Sequence, residues 1–98
     1  MIKIHIDSNA QEREADIIRL AISAEINRLK LGLKKTNKQI NKFEKKYNVS
    51  SDVFLEKLSA EDLEGRDQEY IEWAGELKLR EKISIDLNHL EGIEYVTQ

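Results

Sequence analysis

Apolar and polar positions alternate at the start of the chain. Ile2, Ile4 and Ile6 fall on one side and Lys3, His5 and Asp7 on the other, which is the period of a short, half-buried N-terminal strand. A strand needs a partner, and two are available: the tail Ile93-Glu94-Tyr95-Val96, or the same strand of a second copy. The period then changes. Ile22, Ile26, Leu29, Leu33, Thr36, Ile40, Phe43 and Tyr47 step by 4 and 3 residues in turn, a heptad seam in which Thr36 is the single polar member. Ser8 or Asn9 can cap a helix whose first turns carry Glu12 and Glu14, where carboxylates suit the positive end of the helix dipole. With no proline to interrupt it, the pattern predicts one long coiled-coil-like helix over about 9–47, in which Gly32 is a weak point costing about 1 kcal/mol relative to Ala.

Near its start this helix is apolar on two sides. Ala15, Ile18 and Ile22 make one stripe, and Ile17, Leu20 and Ala24, continued by Leu31, make another. One side can take a returning helix of the same chain and the other a second subunit. The expected homodimer interface is therefore Ile2, Ile4 and Ile6 of the strand with Ala15, Ile17, Ile18, Leu20, Ala21 and Ala24 of the helix, in a pattern that fits parallel and antiparallel pairing alike.

Asn48 tolerates the left-handed backbone that ends helices, and Ser50 or Ser51 can then cap a short helix over about 51–58. A polar stretch containing Gly65 leads to a last helix over about 67–91, with Gly92 just past its end. Tyr70, Trp73, Ala74, Leu77, Ile83, Leu87 and Leu90 supply its buried face, and the expected arrangement is an antiparallel return along the seam of the first helix. The fold class is mainly α, with residues 1–98 in a single helical domain.

Charge sharpens this picture. Between Asn27 and Lys46 eight basic residues face Glu44 alone, whereas from Ser51 to Gln98 thirteen acidic residues face five basic ones. A hairpin lays the basic arm against the acidic one, with Lys30 and Lys46 flanking the seam and able to pair across it. Lys34, Lys35, Lys38, Lys42 and Lys45 fall on the face opposite the seam, beyond reach of a helix packed there. That outer stripe is a candidate nucleic-acid-binding surface, although no aromatic residue interleaves with it for base stacking. The overall charge of −3 sets the chain apart from ordinary nucleic-acid-binding domains, which are basic as a whole.

Cysteine is absent, which excludes disulfides and thiolate zinc sites. The first residues do not read as a signal peptide and no stretch approaches the roughly 20 apolar residues of a membrane span, so the expected location is cytoplasmic, without membrane partners. Neither His5, on the polar side of the strand, nor His89, in the last helical turn, sits in a nucleophile–base–carboxylate setting, and no cofactor is implied. Paired Glu-x-x-Glu motifs on neighbouring helices hold magnesium in helical nucleotide hydrolases. Glu69 with Glu72 and Glu91 with Glu94 have that spacing but lie roughly 33 Å apart on one continuous rod. A metal-dependent hydrolase is therefore the second alternative for function.

The segment Phe43-Glu44-Lys45-Lys46-Tyr47-Asn48-Val49-Ser50-Ser51-Asp52-Val53-Phe54-Leu55, followed by an acidic linker and Asp67-Gln68-Glu69-Tyr70-Ile71-Glu72-Trp73-Ala74, resembles small helical antitoxin-like proteins of bacteria and archaea encoded beside toxin-like ribonucleases. The resemblance covers about half of the chain, and members usually carry Gly where Asn48 stands. It implies a non-catalytic protein-binding module that restrains a ribonuclease toxin. Its acidic candidates are Glu61, Asp62, Glu64, Asp67, Glu69, Glu72 and Glu76, with Tyr70 or Trp73 as aromatic anchor. The first alternative is a nucleic-acid-binding helical dimer using the outer lysine stripe.

Overall fold

A computed structural model describes residues 3–6, 12–60 and 68–97. In chain order these form strand β1 (Lys3–Ile6), helices α1 (Glu12–Tyr47), α2 (Ser51–Ala60) and α3 (Gln68–Glu91), and strand β2 (Glu94–Thr97). The expected three helices and N-terminal strand are present, with α2 two residues longer than the sequence pattern suggested. Ser8 and Asn9, the expected cap of the long helix, lie outside the described residues, as does Ile2. The chain resolves into two compact units, residues 1–32 with 83–98 and residues 33–82, each drawing on both α1 and α3.

In the first unit β1 pairs with β2 of the same chain, in parallel, with Ile4 opposite Tyr95 and His5 opposite Val96. Of the two partners that the alternation allowed, the structure thus takes the C-terminal tail. So small a sheet needs a surface to pack on, and Ile6 accordingly joins Leu29, Ile83 and Leu87 among the buried residues. The Arg19 guanidinium stands 5.3 Å over the Tyr95 ring, tying β2 to α1 by a cation–π contact. Gly32 lies against Ile83 of α3: a Cβ there would stand 3.4 Å from Ile83 Cδ1, an ordinary van der Waals contact. α3 ends as expected at Gly92, whose N–H donates to the Asn88 carbonyl at 3.2 Å.

The second unit holds an aromatic core. Ile40, Phe54, Trp73 and Leu77 are buried, with Phe43, Tyr47, Val49, Tyr70 and Ala74 packed round them. The heptad seam is the reason α1 contributes here. Its five positions in this unit, Leu33, Thr36, Ile40, Phe43 and Tyr47, are all buried or half-buried, and Thr36 and Ile40 are each only 1% exposed. α1 stops where Asn48 adopts a left-handed conformation, φ 52°. The Val49 N–H then donates back to the Glu44 carbonyl at 3.2 Å, the six-residue closure of a Schellman motif. Ser50 caps α2 by accepting from the Val53 N–H at 3.2 Å.

Within each unit α3 runs antiparallel to α1. Tyr47 meets Glu69 and Thr36 meets Glu76 in the second unit, and Lys30 meets Glu91 in the first. None of the described helices is long and apolar enough to cross a membrane.

Candidate binding surfaces

The lysines of α1 sort into two sets by position. Lys30 and Lys46, which flank the seam, reach acidic residues of α3: Lys30 lies 3.8 Å from Glu91, and Lys46 donates to Glu69. Lys34, Lys35, Lys38, Lys42 and Lys45 are all exposed, and none of the five forms an ion pair among the described residues. At about 1.5 Å rise per residue they hold five ammonium groups along some 17 Å of one helix face. The aromatic residues nearest in sequence, Phe43 and Tyr47, are turned into the core, which leaves the face without a stacking platform.

The acidic set is arranged differently. Glu61, Asp62, Glu64 and Asp67 lie outside the described residues. Glu69 accepts from the Tyr47 hydroxyl at 2.6 Å as well as from Lys46, and these bonds, that from Lys46 foremost, hold its carboxyl below the ordinary carboxylate range. Glu76 is taken up by Thr36, whose hydroxyl reaches both the Glu76 carboxylate and, at 3.1 Å, its carbonyl. That contact satisfies the one polar side chain of the seam. Glu72 and Ile71 are exposed and Tyr70 is half-buried. Trp73 is 1% exposed and presents no surface to a partner. It is a core residue, its indole N–H donating to Ser51 Oγ at 3.0 Å.

Sequence reasoning missed two contacts here. Ser51 appeared only as a possible cap, yet it is the buried acceptor for the single tryptophan. Glu44, the lone acid in the basic run, accepts from the Ser51 N–H at 2.8 Å and so tethers the start of α2 to the end of α1. The signal was there in Glu44's isolation among lysines, but a cap supplied from seven residues upstream lies outside the usual local spacing.

The residues expected at a homodimer interface also divide. Ile4 and Ile6 belong to the internal sheet, Ile6 being buried, and Ala15 is half-buried. Ile17, Ile18, Leu20, Ala21 and Ala24 are exposed. Among the described residues no three His, Asp or Glu side chains come together as a metal site. Glu91 ends α3 while Glu94 begins β2, so this second pair is not one on a single helical face. Comparison with known proteins finds no protein family, curated protein or solved structure that matches the chain.

Proposed function

We propose that this chain is a non-catalytic binding protein and that the lysine face of α1 grips the phosphate backbone of a nucleic acid. The observation that supports this reading is the sorting of charge. Lysines within reach of α3 are paired with its carboxylates, whereas Lys34, Lys35, Lys38, Lys42 and Lys45 are left together on one exposed face. A row of ammonium groups without aromatic neighbours recognises regularly spaced negative charge and is indifferent to base sequence. Five phosphate contacts on a duplex give a log–log salt slope of about −4.5. The acidic remainder of the chain keeps binding weak at physiological salt.

The test is fluorescence anisotropy of labelled duplex DNA, duplex RNA and single-stranded RNA at low salt. Lys34→Glu, Lys38→Glu and Lys42→Glu combined should abolish binding without loss of helicity. Absence of wild-type binding to all three probes would overturn the reading.

A second reading is the antitoxin-like one, in which the chain restrains a ribonuclease. Its support is the resemblance over Phe43 to Ala74, together with Ile71, 53% exposed beside the exposed Glu72 on α3. It ranks second because the residues that carry the resemblance are spent on fold: Asn48 ends a helix, Ser50 caps the next and Trp73 fills the core. Co-expression with the product of the adjacent gene tests it. A ribonuclease neighbour that co-purifies and loses activity would promote this reading, and an unrelated neighbour that is not retained would remove it.

A further inference from the structure

The first unit exposes more aliphatic surface than a helix back normally does. Ile17, Leu20 and Leu31 are 50%, 64% and 69% exposed, and with Ala24 they step by 3, 4 and 7 residues along α1. They lie opposite the seam residues Ile22, Ile26 and Leu29, which face inward. This is a second heptad stripe without a covering helix among the described residues.

The charges beside the stripe say what covers it. We propose that it pairs with the same stripe of a second copy, with the two α1 helices antiparallel. Setting Leu20 against Ala24 of the second copy places Ile17 against Asn27 and Leu31 against the aliphatic stem of Arg13, whose guanidinium can reach water. In that register Glu14 faces Arg28 on one flank and Asp16 faces Lys30 on the other, and the two-fold repeats both pairs. All four residues are exposed. Asp16 and Lys30 now hold their own-chain partners Arg19 and Glu91 only at 4.0 and 3.8 Å, so both can turn to a new partner. Arg28 keeps Glu25 at 2.6 Å and has further N–H donors to share.

A parallel pair does none of this. It stacks Arg13 on Arg13 and Asn27 on Asn27, and it faces Asp16 with Ala21 and Arg28 with Ser23. A bilayer surface is a poorer occupant, because anionic lipid answers only Arg13, Arg28 and Lys30, whereas a second copy also supplies partners for Glu14 and Asp16. The pairing differs from the dimer expected from sequence in leaving the strand out, since β1 is already paired within its own chain.

Sedimentation velocity on the full chain tests the proposal. The wild type should be dimeric in the micromolar range, and Leu20→Glu should raise the dissociation constant by at least about tenfold with unchanged helicity, since the side chain is exposed. Asp16→Lys and Lys30→Asp should each weaken the dimer several-fold, and the two together should restore it, because the swapped pair faces itself again across the two-fold. Circular dichroism of each variant separates loss of pairing from loss of fold. A monomeric wild type at high micromolar concentration, a dimer indifferent to Leu20→Glu, or charge swaps that fail to rescue one another would overturn it. So would a monomer that binds vesicles of phosphatidylcholine and phosphatidylserine through the same face.

Discussion

Phe54 lies flat on Trp73, the ring centroids 3.9 Å apart and the planes 2° from parallel, so the first turn of α2 is clamped to α3 by a stacked aromatic pair. Phe43 and Tyr47 of α1 stack beside the same indole at 5.8 and 5.9 Å. Trp73 is thereby the residue through which three helices meet. Phe54→Ala removes a buried ring and should cost about 3–5 kcal/mol, a large share of the net stability of a chain this size. Urea unfolding followed by Trp73 emission, which should also shift to the red as water enters, measures both effects.

Ser51→Ala leaves the Trp73 N–H buried without its acceptor, a loss of about 1–3 kcal/mol. Trp73→Phe deletes donor and volume together. In a double-mutant cycle the serine substitution should therefore cost much less in the Trp73→Phe background than in the wild type. Additive losses would mean that the hydrogen bond contributes nothing to stability.

Gly75 sits inside α3, exposed, with nothing within 4 Å of where a Cβ would stand. Gly75→Ala should raise stability by about 0.5–1 kcal/mol through helix propensity and a less flexible unfolded chain. Thermal denaturation by circular dichroism reads the shift, and an unchanged or lowered midpoint contradicts the account.

Glu69 sets a pH dependence whose sign is determined. Its carboxyl is held below the ordinary value of 4.5, by Lys46 first and Tyr47 second. A carboxylate depressed in the folded state stabilises the fold above the unfolded-state pKa, and that contribution is lost as pH falls through the folded value. Glu69→Gln should therefore reduce stability near neutral pH and flatten the loss that the wild type shows on acidification below about pH 4.5. Chemical denaturation at a series of pH values shows whether the two curves converge in acid.

Thr36→Val is the counterpart within the seam. The valine matches the volume of a side chain that is 1% exposed but cannot donate to Glu76. A loss of about 0.5–1.5 kcal/mol is expected, because the Glu76 carboxylate is only half-buried and can turn to water. A loss several times larger would mean that Thr36 sets the register of α3 on α1.

The features that sequence alone determined are those whose physics is local. The heptad seam from Ile22 to Tyr47, the helix end at Asn48, a serine cap at Ser50 or Ser51 and the stop at Gly92 each depend on neighbours within about two helical turns, and local pattern reports such neighbours directly. The pairing of Lys30 and Lys46 with the returning acidic arm was legible too, because positions flanking a seam meet whatever packs in it. Tertiary structure decided the rest. Alternation made β1 a strand but left its partner open, and only the folded chain brings Lys3–Ile6 beside Glu94–Thr97. The same holds for the acidic residues of α3: spacing placed Glu69 and Glu76 on a helix, but the register of α3 on α1 turned them onto Tyr47 and Thr36. That register is settled by how unequal side chains fit between helices, with Trp73 against Phe43, Tyr47 and Phe54. Such a fit joins residues some twenty to forty positions apart and leaves no periodic trace in the chain.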